Sequence, residues 1–189
     1  MSWIKGLVFS LIGFGVGIGV MVLLGKPLSS DATITVAYLI ALVGWLLGVG
    51  VWDHWARGWL GMENKPAPTL KSQGVWRYFM FSTDHKVIGI QYLVTFMALF
   101  FTAGTLAVLV RIELMMPGQT LFTPEVYNTV MSMHGIVMVD VAVAVLIGGL
   151  GNYFVPLLIG AEDMAFPRLN ALSYWITPPV AITLVVGSL

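Results

Sequence analysis

His134 stands in Met133-His134-Gly135, inside a stretch from Val126 to Leu150 whose one charged residue is Asp140. An ionisable, metal-binding side chain in so apolar a run is costly and is usually kept for function. Neutral imidazole is an axial ligand of haem iron, and Gly135 beside it leaves room for a flat macrocycle. Met131 and Met138 fall on the same helical face as His134, at spacings of three and four. Spacing alone leaves two readings open: an iron ligand, or a ring hydrogen-bonded to a neighbouring helix.

A second polar group follows the apolar run. Asp163, with Glu162, Asn152 and Asn170 near it in sequence, can hold water that passes protons into a membrane protein, or can be an ordinary solvated loop. Arg111 either marks a helix end by snorkelling or donates to a polar substituent of a buried cofactor. Glu113 with the Pro117-Gly118 turn offers oxygens to a hard cation such as Ca²⁺ or Na⁺, against the plain reading of a surface carboxylate. Asp140, six residues after His134, falls on a different helical face and must pair, line water or stay protonated.

These residues need membrane helices to position them. The chain is 58% hydrophobic and 10% charged, where a water-soluble domain has about 25% charged residues. That balance identifies an integral membrane protein. Net charge is zero, and no basic run points to nucleic acid. The absence of Cys removes disulfides, thiolate metal sites and cysteine nucleophiles.

Five apolar segments are expected to cross the bilayer: Gly6 to Gly25, about Ile34 to Val51, about Val87 to Val110, Val126 to Leu150, and a fifth from near Leu172. The first competes with a signal peptide, but its length and the lack of an Ala-x-Ala-like site favour an uncleaved helix. Its glycines at 13, 15, 17 and 19 permit close helix packing. Thr123, Pro124 and Glu125 mark the start of the fourth helix as cap, first helical residue and acidic first turn. Pro178 and Pro179 should kink the fifth. Residues 1–60 then form a two-helix membrane extension, 61–75 a polar linker, and 76–189 the domain carrying the chemistry. The chain stops at Leu189 partway through an apolar run, so it is expected to be a cut one.

Basic residues set the orientation. Lys5, Arg57, Lys65, Lys71, Arg77, Lys86 and Arg168 fall on one side, and Lys26 and Arg111 on the other. This places the amino terminus and the Asp163 loop in the cytoplasm and His134 toward the outer face. His54, expected to be an interfacial surface residue, and His85 then lie most of a ~30 Å bilayer from His134. The three histidines cannot share a metal.

The string Gly151-Asn-Tyr-Phe-Val-Pro-Leu-Leu-Ile-Gly-Ala-Glu-Asp-Met-Ala-Phe-Pro-Arg-Leu-Asn170 resembles subunit I of the haem–copper terminal oxidases, the cytochrome c oxidase family. Ser82-Thr-Asp-His-Lys-Val-Ile-Gly89, Arg111-Ile-Glu-Leu with Pro117-Gly118, Tyr127-Asn128 and His134-Gly135 follow that family's order, from about Trp76 to Leu189. The resemblance implies an all-α membrane bundle: the first part of a twelve-helix core behind an amino-terminal two-helix extension. It implies that His134 is an axial ligand of the low-spin haem, of A or B type, and that Arg111 contacts a haem substituent. Glu113 and Gly118 match a Ca²⁺ or Na⁺ position of some members. Asp163 would be the mouth of a proton-uptake channel, with Asn152 and Asn170 ordering its water.

The implied activity is reduction of O₂ to water with electrons from cytochrome c or quinol, coupled to proton translocation. The implied setting is the bacterial cytoplasmic (inner) membrane, among lipid and subunits of the II and III type. The second haem and the copper need histidines from later helices, so this stretch has no complete catalytic centre. Alternatives are a non-catalytic assembly module, a split or remnant chain, or a related nitric oxide reductase. The chain departs from the family pattern at Met138-Val-Asp140-Val, which lacks the usual aromatics and proline, at Glu162, and at Ala171. Its His134-to-Asn152 spacing is one residue short.

Overall fold

A computed structural model describes residues 2–63 and 74–187. Among them the chain is helical: α1 (Ser2–Leu23), α2 (Asp31–Val49), α3 (Asp53–Trp59), α4 (His85–Glu113), α5 (Pro124–Val143), α6 (Asn152–Ile159) and α7 (Pro167–Gly187). A 3₁₀ turn occupies Gly74–Phe79 and a π-helix Ala144–Gly151. By length and composition α1, α2 and α4 can each cross a membrane, as the integral-membrane reading requires. Most of the expected 61–75 linker, with Lys65 and Lys71, lies outside the described residues.

The chain divides into two compact units, the first holding residues up to Thr83 with Phe166–Pro179, the second Asp84–Ala165 with the residues from Val180 onward. In the first, α1 and α2 form an antiparallel hairpin. The glycines at 13, 15, 17 and 19 of α1 separate by face. A Cβ on Gly13 would lie 2.6 Å from the Ile40 carbonyl oxygen, and one on Gly17 2.6 Å from Ala37 Cα, while Gly15 and Gly19 face open space. The backbones therefore touch along one stripe, the close approach that small residues allow. Ser30 caps α2 by accepting from Thr33 N–H at 3.2 Å, and Thr33 Oγ1 donates to Pro27 O at 2.8 Å.

Trp3, Trp45 and Trp175 form the aromatic heart of this unit, with ring centroids 5.3 to 6.1 Å apart. Pro179 has no N–H to give the carbonyl four residues before it, that of Trp175. Trp45 Nε1–H donates to that oxygen at 2.7 Å, with both side chains almost wholly buried. Pro178 and Pro179 thus stay inside α7, one of their two carbonyl gaps being met by an indole from α2.

In the second unit, Asp84 caps α4 through Lys86 N–H at 2.8 Å. Thr123 caps α5 at Val126 N–H, with Pro124 as the first helical residue, as the sequence indicates. Its Glu125 is held below the usual carboxylate range by its own backbone amide and then by the Thr123 hydroxyl. Leu99, Ala103, Met133, Val137, Val141 and Ala181 make the core, with Met138 packed against it. Met131 is 54% exposed, so the two methionines expected on one face have different surroundings.

The expected straight span from Val126 to Leu150 is broken by the π-helix. Gly148 and Gly149 tolerate irregular backbone, and Pro156 removes a helical donor just beyond. Gly148 also lets the Tyr92 ring approach, since a Cβ there would meet it at 2.7 Å.

Candidate functional site

His134 is half-buried on α5, and its Nδ1 lies 2.9 Å from the Ala103 carbonyl of α4. A carbonyl only accepts, so Nδ1 carries the hydrogen and Nε2 keeps its lone pair. This is the tautomer of a metal-ligating histidine whose other nitrogen is oriented by the protein. One nitrogen is thus spent on the neighbouring helix, as the second of the two readings expects, and the other is left over. Gly135 is exposed, and a Cβ there would meet nothing within 4 Å. Ile136 and Val139 stand exposed on the same helix. A fixed imidazole, a flat open neighbour and apolar surroundings fit one side of a haem.

Arg111 is exposed in the last turn of α4. It stands eight residues after Ala103, about 12 Å along the helix at ~1.5 Å per residue.

Glu113 is 7% exposed, although it ends a helix. Its Oε1 accepts Thr120 N–H at 2.8 Å, and its Oε2 accepts Leu121 N–H at 2.6 Å and Phe122 N–H at 3.1 Å. The loop after α4 turns at Gly118, whose φ is +92°, and closes around this carboxylate. Sequence reasoning read Glu113 as a surface acid or a cation ligand and missed this anchor. Among the described residues, no group of three or more His, Asp or Glu is placed to hold a metal.

Asn152 is 5% exposed. Its Nδ2 donates to Gly148 O at 2.7 Å, while its Oδ1 is buried with no protein partner. A buried acceptor left in this state is where ordered water is expected. Its backbone carbonyl lies 2.9 Å from His85 Nδ1. His85, only 2% exposed, had no assigned role in the sequence; the signal that could have found it is Pro156, four residues after Asn152.

Asp163 is half-exposed in the loop after α6, and its Oδ1 accepts Met164 N–H at 2.8 Å. Glu162 is exposed. Asn170, in the other unit, has a buried Nδ2 without a partner. Asp140 is half-buried on α5. His54 packs its ring beside Trp55, 6.5 Å between centroids, in the first unit.

A family model described as "Cytochrome C and Quinol oxidase polypeptide I" matches residues 87–189. The cytochrome c oxidase subunit 1 of Synechocystis sp. is 48% identical over 108 residues, 57% of this chain and 20% of the relative. That of Halobacterium salinarum, named "Cytochrome c oxidase polypeptide 1", is 37% identical over 169 residues, 85% of this chain and 28% of the relative. A "Heme-copper oxidase subunit I+III" of Aeropyrum pernix is 47% identical over 102 residues, 53% of this chain and 12% of the relative. The chain spans under a third of the length of these relatives.

Proposed function

Because this chain belongs to the cytochrome c and quinol oxidase polypeptide I family, we propose that it forms part of the catalytic subunit of a respiratory haem–copper oxidase. That enzyme would reduce O₂ to water with electrons from cytochrome c or quinol and couple the reaction to proton translocation. The observation that carries the reading is His134, with Nδ1 committed to the Ala103 carbonyl and the Nε2 lone pair left for a metal.

A low-spin haem bound there, of A or B type, supplies a one-electron carrier. Ala103 holds the imidazole in one tautomer, with Nε2 free to serve as the ligating atom. Arg111 offers a positive charge to an anionic haem substituent. The other haem ligand, and the histidines for a second haem and copper, would come from residues outside this chain. At the other end of the span, Asp163 takes up a proton on its carboxylate. The resemblance gives Asn152 and Asn170 the ordering of the water that carries the proton onward, and the buried Oδ1 of Asn152 is an acceptor suited to that role. Glu113 and Gly118 can serve Ca²⁺ or Na⁺ only by sharing carboxylate oxygens that already accept three amides.

The setting we infer is the bacterial cytoplasmic membrane with the amino terminus inside. Partners are subunits of the II and III type, and residues 1–60 form an extension to the oxidase core. In the assembled oxidase, His134→Ala should abolish the bis-histidine low-spin haem band in reduced-minus-oxidised spectra while the protein still accumulates in membranes. A low-spin band of wild-type intensity in that variant would refute the assignment and leave the assembly-module reading.

A further inference from the structure

We propose that His85 is a positioning residue for Asn152, standing in for the backbone amide that Pro156 cannot provide; its importance for turnover rests on Asn152 lying on the proton path. In an α-helix the carbonyl of Asn152 takes its hydrogen from the residue four ahead. Here that residue is Pro156, inside α6, which has no N–H. A buried carbonyl without a donor is expensive. His85 Nδ1 lies 2.9 Å from this oxygen, across 67 residues of sequence. Since the oxygen can only accept, the ring must donate.

The donor cannot easily swing away. His85 is the first residue of α4, directly after the Asp84 cap, and is 2% exposed. One turn on, Gly89 lies so close to the next segment that an added Cβ would meet Gly149 O and Tyr153 at 3.1 Å. α4 is thus pressed against the chain on both sides of Asn152. The carboxamide is fixed in turn by Nδ2 donating to Gly148 O at 2.7 Å, which leaves Oδ1 as the buried acceptor. His85 holds the backbone, Gly148 holds the side chain, and the remaining oxygen is presented at one position. Without the imidazole, the carbonyl must turn to find another donor, and Oδ1 moves with it.

The test is a cycle of variants in the membrane-assembled oxidase carrying this chain. His85→Phe keeps a flat ring and removes the N–H. His85→Asn returns an amide at the position of Nδ1, and His85→Gln places one at the position of Nε2. Pro156→Ala returns the missing backbone amide. Flash-initiated proton uptake is followed with a pH dye, the low-spin haem spectrum serves as the assembly control, and thermal midpoints are recorded for every variant.

His85→Phe should slow uptake roughly tenfold, the scale of a buried hydrogen bond lost, with the haem spectrum retained. His85→Asn should recover most of the rate and His85→Gln should not. Adding Pro156→Ala to His85→Phe should also recover it, a non-additive pair. Equal slowing by His85→Phe with and without Pro156→Ala, or no slowing, overturns the inference. Should His85→Phe fail to assemble, the Asn-versus-Gln comparison decides: equal rates overturn it. If Asn152→Ala takes up protons at the wild-type rate, the proton-path reading is what fails. The 85–156 coupling is then read in the thermal midpoints, where additivity sinks the positioning role and non-additivity sustains it.

Discussion

Among the described residues two helices carry prolines in their interior, and in each of them one carbonyl that lost its helical donor is met by a ring N–H from another helix. In the first unit Trp45 reaches the Trp175 carbonyl at 2.7 Å, and in the second His85 reaches the Asn152 carbonyl at 2.9 Å. The backbone chemistry is the same and the surroundings differ in kind. Around Trp175 lie the rings of Trp3, Trp45 and Tyr174, and the indole of Trp45 has no second polar function to offer. Around Asn152 a carboxamide oxygen is left buried and unmet. Each place also keeps a buried polar atom without a protein partner, the indole Nε1 of Trp175 in the first and the carboxamide Oδ1 of Asn152 in the second, but the indole N–H can only donate from within packed rings, whereas the carboxamide oxygen accepts. The lesson is that a proline gap is neutral as to purpose, and the side chain next to the repaired carbonyl decides whether it becomes scaffold or site.

The comparison breaks most visibly at Trp45. Trp45→Ala removes both the ring and the donor and should cost about 3–5 kcal/mol, as large aromatic truncations do. Trp45→Phe keeps the packing and should cost about 1–3 kcal/mol, the scale of an orphaned buried carbonyl. Detergent-solubilised thermal or denaturant unfolding measures both, and neither should shift the haem spectrum. If Trp45→Phe were silent, the indole hydrogen bond would carry no weight and the parallel with His85 would fail.

The packed character of the first unit is sharpened at its glycine stripe. Gly13→Ala forces a Cβ against the Ile40 carbonyl and should destabilise the hairpin by about 1–3 kcal/mol. Gly15→Ala, with open space around it, should be neutral or stabilising by up to about 1 kcal/mol. Equal effects at the two positions would mean that the α1–α2 contact is not the one described.

The smallest effect is expected at Glu113, where the second unit again meets backbone groups with a side chain. Glu113→Ala should speed hydrogen exchange at the Thr120, Leu121 and Phe122 amides and leave the core of α4 and α5 protected. Unchanged exchange at those three amides would show that the carboxylate does not organise the loop.

How far the sequence was legible follows the same division. Signals confined to one turn were readable: Thr123 and Pro124 at the start of α5, and the small residues of α1, two of which prove to be the contact. His134 stood out as a lone imidazole in an apolar run, and the hydrogen bond to a neighbouring helix was one of the two readings that its spacing left open. The π-helix at Ala144–Gly151 was not, since its apolar composition suits either winding and the choice is made by Tyr92 against Gly148 and by Pro156. Nor were His85 and Glu113. Each looked like an ordinary polar residue at a helix end, and what it does depends on a backbone group brought to it by folding, 67 residues away for His85.

The assignment of His134 is tested most directly by emptying its position and refilling it from solution. In the assembled oxidase, His134→Gly should lose the low-spin haem band, and millimolar imidazole added to the buffer should restore it by entering the space left beside Gly135. A band that persists without imidazole, or one that is lost and stays lost at saturating imidazole while the protein remains folded, would contradict ligation of the haem iron by this residue.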